Sequence, residues 1–277
     1  MLAVALAISG ALAYGFSDFL GGLLSRRGAL WPTALTACTG ALLGTLVLAV
    51  TVTGTPAGSD FGWALAAGLG SGAGTAFLYR GMAAGRMGVV APISAVGAAA
   101  IPVLAGVAGG ERPGILVWLG IAAAFPAIWL VAREESTLPA ASSSGALDGA
   151  AAGIGFGVLF AALGQVPTSS GYWPLALTQA VSVVGVAVAA LAIRADPWPR
   201  RAADCGGLVS GLLAALAVWC FLLATDHGLL TVSAVLVSLY PASTVLLAVL
   251  VLREHIHRAQ ALGLALCAVT VVLVALG

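Results

Sequence analysis

The chain has 277 residues, of which 61% are hydrophobic and only 8% charged, with a net charge of +1 and a mean hydropathy of +1.11. A soluble globule carries about 25% charged residues to face water, so these proportions exclude one. The 11 basic residues are all arginines without a basic run, and the 37 glycines have no three-residue period. A nucleic-acid partner and a collagen-like rod are therefore excluded. The class that remains is an all-α integral membrane protein.

Apolar runs between polar or turn-rich breaks give about ten segments, near 2–24, 31–53, 61–84, 88–109, 114–132, 148–168, 172–193, 205–226, 230–252 and 257–277. Each is close to the roughly 20 residues that cross the hydrocarbon, and helices satisfy their own backbone there. The short alternating segments of a membrane barrel are not seen. The first run has no basic stretch before it and is longer than the core of a cleaved leader, so it is expected to stay as the first span. The stretch from Glu134 to Leu147 is long and rich in Ser and Ala. It divides the chain into 1–135, a linker at 136–147, and 148–277. Asp60, Asp148 and Asp204 fall at predicted helix starts, where a carboxylate caps free N–H groups. Trp31-Pro32 and Trp173-Pro174 open helices, with the ring expected at the membrane interface and proline in the first turn.

If the spans alternate, Arg26, Arg27, Arg86, Arg133, Arg194, Arg200, Arg201, Arg253 and Arg258 share one face, with Arg80 close to it. Only Arg112 lies on the other. The positive-inside rule then puts both termini outside. The four cysteines, Cys38, Cys205, Cys220 and Cys267, have no metal-ligand spacing and read as small packing residues. With no Lys and no Asn, the composition fits a GC-rich coding sequence, so the bacterial plasma (inner) membrane is the expected location.

The two halves repeat at a nearly constant offset. Trp31-Pro32-Thr33-Ala34-Leu35-Thr36 returns as Trp173-Pro174-Leu175-Ala176-Leu177-Thr178. Glu111, followed by Leu119-Gly120, returns as Glu254, followed by Leu262-Gly263 at the same spacing. Each copy has five spans, an odd number, so the second enters the membrane the other way up. Inverted repeats of this kind build carriers whose two halves expose a midplane site to alternate faces. The expected fold is thus two inverted five-helix repeats.

Ten spans, a five-span duplication and Glu-x(7)-Leu-Gly between the fourth and fifth helix of each half resemble the EamA branch of the drug/metabolite transporter superfamily. Gly15-Phe16-Ser17-Asp18-Phe19-Leu20-Gly21-Gly22 is similar to a version of the first span seen in some members. The resemblance implies an exporter of amino acids, other metabolites or drugs, in many members coupled to protons. It also implies cytoplasmic termini, the reverse of the arginine count.

Asp18 is the leading functional candidate, because an ionisable group within a span is costly. It lies roughly 12 Å from the helix end before Arg26 at ~1.5 Å per residue, on a face with Tyr14, Gly15, Gly21, Gly22 and Ser25. Its uses are proton coupling or recognition of a cationic group. Arg80, at a similar depth, either pairs with Asp18 until substrate competes for it or snorkels to the surface. Tyr14, Tyr79, Trp219, Tyr240, Gln165 and Gln179 complete an expected amphipathic lining, with Tyr240-Pro241 freeing backbone carbonyls.

Glu111 and Glu254 are expected to cap the helix that follows each, and Gly120 and Gly263 to make close helix contacts. Asp226-His227 is a possible proton relay at an outer helix end, and His255-Ile256-His257 is too small a set for a metal. No GxSxG, HExxH or P-loop is present, so neither an enzyme nor a cofactor is expected; the alternative to a carrier is a passive facilitator or channel-like uniporter built on the same helices. The partners expected are a small-molecule substrate, the lipid bilayer and protons, with the chain a monomer.

Overall fold

A computed structural model describes residues 1–25, 29–83, 87–132, 143–253 and 255–277. Its helices are α1 (Leu2–Ser25), α2 (Leu30–Thr51), α3 (Gly58–Ala83), α4 (Met87–Ala108), α5 (Ile115–Ala132) and α6 (Ser143–Leu163) in the first part. A short 3-10 turn (Thr168–Ser170) follows, then α7 (Trp173–Ala192), α8 (Ala202–Cys205), α9 (Gly207–Asp226), α10 (Leu230–Val237), α11 (Tyr240–Leu252) and α12 (Arg258–Leu276). Ten helical stretches are long and apolar enough to cross a membrane, and no strand occurs among the described residues.

The protein is therefore an all-α, multi-pass membrane protein whose ten spans largely follow the apolar runs. The sixth differs: it begins at Ser143 rather than at 148, so 143–147 are helix and not linker. The ninth is two helices, α10 and α11, joined at Ser238-Leu239. Pro241 stands in the first turn of α11, where its missing N–H costs nothing.

The closest packing runs between the first five spans and the last five. α3 lies along α6 and α7, α1 and α2 along α9, α4 along α6 and α10, and α5 along α12. Helices in lipid gain nothing by hiding apolar surface from one another, so small residues that let backbones approach become the glue. A Cβ on Gly155 of α6 would stand 2.5 Å from the Gly74 nitrogen and 2.6 Å from the Gly70 carbonyl of α3. One on Gly211 of α9 would run into the Ala37 carbonyl and stand 2.6 Å from the Ala41 nitrogen of α2. Hydroxyls add to this. Ser17 of α1 donates to the Ser210 carbonyl at 2.8 Å, and Ser210 of α9 donates back to the Ser17 carbonyl at 2.9 Å.

On the face carrying Arg112, polar groups tie the two sets of spans together. The Asp60 carboxylate, in the first turn of α3, accepts the Ala57 amide at 2.8 Å and the Ser170 hydroxyl at 2.6 Å. Glu111 also caps a helix, but not the one that follows it. Its two oxygens accept the Leu230 and Thr231 amides at 2.5 and 2.9 Å, at the start of α10. α10 presents its free N–H groups to this carboxylate across the interface between the first and last five spans. Glu254 lies outside the described residues.

On the opposite face Asp204 accepts the Arg200 and Arg201 amides at 3.1 and 3.0 Å, as a first-turn carboxylate should. Asp148 does not cap. It sits well inside α6 and forms an ion pair with Arg80 of α3. The two Trp-Pro signals also diverge: Trp173 is exposed as an interfacial ring should be, but Trp31 is buried and packs on Tyr79, centroids 6.4 Å apart.

These contacts give expected stabilities for three variants, all read as thermal unfolding in detergent micelles. Gly211→Ala should cost about 1–3 kcal/mol, the usual penalty of overpacking. Gly62→Ala, with nothing within 4 Å of its added Cβ, should be neutral or slightly stabilising. Glu111→Ala strips both bonds from the start of α10 and should cost about 1–2 kcal/mol, the scale of a lost cap. An unchanged midpoint would show that α10 does not depend on it.

Candidate functional site

The same packing leaves a space at the centre. An inner chamber of about 180 Å³ widens into a vestibule of about 780 Å³, and the two share Ser17, Asp18, Leu78, Tyr79, Ser210 and Tyr240 as lining. The vestibule is walled by the second half of α1, the length of α11, the end of α5 (Val131, Ala132), and the starts of α4 and α12 (Ala91, Gln260). It therefore reaches the face where Arg194, Arg200, Arg201, Arg253 and Arg258 lie. The other face is held shut by the contacts of Glu111 and Asp60.

Asp18 stands at the throat between the two spaces. It lies ~10 Å along the axis from the α1 end at Ser25 and ~24 Å from the end at Leu2, at 1.5 Å per residue. Its side chain is solvent-exposed despite this depth, because it faces the crevice rather than a neighbouring helix. No donor among the described residues bonds its carboxylate. Among the described lining residues it is the sole acid, no arginine accompanies it, and His255 and His257 lie at the wide end. A carboxylate kept this deep without a protein partner is available to a proton or to a cation from solution.

Aromatic rings surround it. Tyr14, one turn before Asp18 on α1, lies 5.8 Å from Tyr240 and 6.1 Å from Phe160, which in turn packs at 4.9 Å on Phe221. Ser71 and Ser182 hydrogen-bond at 2.9 Å, and Cys38 lies 3.8 Å from the same Ser182 hydroxyl.

Of the residues expected to act together, Tyr14, Asp18, Tyr79, Gln179 and Tyr240 do meet in the crevice. Three do not. Arg80 is held by Asp148 and stacks over Phe77 at 4.6 Å, with half its side chain exposed. The closer acid has taken it, and no Asp18–Arg80 pair forms. Trp219 turns its indole N–H to the Tyr172 hydroxyl at 2.7 Å, and Gln165 is exposed beyond the end of α6. Asp226 and His227 are also exposed, on the face away from the vestibule. Among the described residues no three His, Cys, Asp or Glu gather as a metal site would need.

Gly120 and Gly263 meet in the α5–α12 contact. A Cβ on Gly120 would stand 2.6 Å from Val274, and one on Gly263 2.7 Å from Val131. Each glycine thus faces the residue eleven positions after its counterpart.

Phe156, Leu159 and Phe160 of α6 were not anticipated as lining, nor was Ser210. The signal for the first three lay in the offset itself. Lining residues come in pairs 142 positions apart: Tyr14 with Phe156, Ser17 with Leu159, Asp18 with Phe160, Ala37 with Gln179, and Ala98 with Tyr240. A polar wall on α1 thus has an apolar equivalent on α6.

Residues 143–276 match the model of the EamA-like transporter family. One crystal structure superposes over 99% of this chain and 96% of its own, with a TM-score of 0.74 and 19% sequence identity. At that identity the likeness is one of fold. No curated protein matches the sequence. The second half of the chain is thus similar to the EamA-like transporter family, a family of membrane transporters within the drug/metabolite transporter superfamily.

Proposed function

We propose that the protein is a secondary carrier that exports small amphipathic metabolites from a bacterial cytoplasm by alternating access, with protons exchanged at Asp18. The single observation that carries this reading is the Asp18 carboxylate, without a partner among the described residues, at the throat of a crevice open to one face. The arginine-rich side faces the cytoplasm by the positive-inside rule, so the open state loads from within. Each half supplies part of the crevice within one chain, so a monomer suffices.

The packing supports an inverted pair of five-span repeats, 1–135 and 148–277. Exchange the halves and α3 on α6 becomes α1 on α9, α3 on α7 becomes α2 on α9, and α5 on α12 maps onto itself. The glycine contacts follow the same exchange. Gly15 packs against Ser243 and Gly157 against Ile101, each member 142 positions from its equivalent. A structure built from two such halves has a second conformation close in energy, in which they trade shapes and the crevice opens the other way.

The break in the ninth span gives that motion a place to act. All eight residues of α10 are buried, whereas Pro241 and Ser243 are the buried positions of α11. Along the vestibule α11 makes little contact with α12, while its counterpart α4 packs along α5. Swinging α11 about Ser238-Leu239 would close the vestibule without disturbing α10.

Carrier action predicts saturable flux and trans-stimulation in proteoliposomes tested with a panel of amino acids, amines and nucleobases. Asp18→Asn should lower net, proton-linked flux at least tenfold and flatten its pH dependence. Proton movement is read by a dye trapped in the lumen. Flux through Asp18→Asn within twofold of wild type, with the same pH dependence, would contradict the assignment.

A further inference from the structure

The chemistry of the two walls narrows the cargo, on the premise that the crevice is the transport site. The inner chamber has one formal charge among its described lining residues, the Asp18 carboxylate, and no Arg or His to balance it. Three tyrosines, Tyr14, Tyr79 and Tyr240, share that lining, and electron-rich ring faces attract a cation where water is scarce. Across from them, at the positions equivalent to Tyr14 and Asp18, stand Phe156 and Phe160. The chamber is thus polarised: Asp18 and Tyr14 of α1, with Tyr79 of α3 and Tyr240 of α11, make an anionic, phenolic side, and Phe156 and Phe160 of α6 supply two phenyl rings.

Size sets a second limit. A dry cavity of about 150 Å³ holds one benzene, so a chamber of about 180 Å³ takes one ring or a branched chain of similar bulk. Longer parts of a ligand would trail into the vestibule, where Thr244, Gln260 and the histidines offer polar contacts. A ligand carboxylate placed in the chamber has no cationic partner there, and it lies beside a like charge, which is unfavourable wherever the dielectric is low.

We infer that the preferred cargo is a monocationic amine with a single-ring apolar body, its ammonium on Asp18 and its ring between Phe156 and Phe160. Acids are refused, and amino acids are weaker than the matching amines because their carboxylate finds no partner in the chamber. Position 18 with its equivalent 160 fixes which way round the ligand lies.

The test uses three probes of one shape: phenethylamine, phenylalanine and 3-phenylpropionate. Binding to the purified full chain in detergent is measured by isothermal titration. Phenethylamine should bind at least tenfold tighter than either of the others. Asp18→Asn should reduce its affinity at least tenfold, and Phe160→Ala at least fivefold, while the thermal midpoint without ligand shows whether each variant is folded. If a variant fails to fold, the probe ranking on the wild-type protein alone decides. Equal or tighter binding of phenylalanine or 3-phenylpropionate would overturn the inference, as would a smaller loss in folded Asp18→Asn. Counterflow of the same probes in liposomes separates the two levels. Counterflow of phenylalanine but not phenethylamine sinks the amine assignment alone. Binding without counterflow of any probe sinks the carrier reading instead.

Discussion

Backbone contact between helices from opposite ends of the chain is the constraint on which this molecule depends. Lipid is as apolar as a leucine side chain, so burial cannot hold the spans together as it would in water. The work falls to positions where a helix has no Cβ. Gly155 on Gly70 and Gly74, and Gly211 on Ala37 and Ala41, press α6 onto α3 and α9 onto α2. Because these contacts cross between halves, neither half makes a complete body alone. The crevice described above lies where α1 and α6 face each other across the centre.

That arrangement explains how an acid survives in mid-membrane. A charge buried against hydrocarbon would be driven to its neutral form or to a partner. Arg80, at a depth like that of Asp18, found its partner in Asp148. Asp18 instead borders a crevice open to the face of the arginines, so its hydration comes from there. Closing that crevice would withdraw the water. The same carboxylate would then need a proton or a cation, the coupling that the proposed carrier would use.

Much of the fold was legible in the sequence, because hydropathy and the bilayer thickness leave few choices. The ten spans, the Trp-Pro starts and the Gly120 and Gly263 contacts could be read from apolar run length and the repeated Glu-x(7)-Leu-Gly. Asp18 and its tyrosines could be read from the cost of polarity inside a span. What escaped was decided by distance in space. The same sequence rule flagged Arg80 and Asp18 alike, but only folding brought Asp148 within reach of the guanidinium. Ser143 to Leu147 are small and polar enough to look like linker, yet they form the first turn of α6. The apolar wall of Phe156 and Phe160 was hidden because nothing marks one phenylalanine among many as lining. Only its position, 142 residues after a polar one, gives it away.

The most direct test of the account measures both ends of the crevice at once. Spin-label pairs at Leu23 and Leu252, beside the vestibule, and at Thr55 and Thr168, on the opposite face, report each opening by pulsed dipolar distances in nanodiscs. The account predicts two populations whose distances move in opposite directions, wide within and narrow outside or the reverse, with pH and added amine shifting their ratio. A single distance at each pair, indifferent to both, would contradict it.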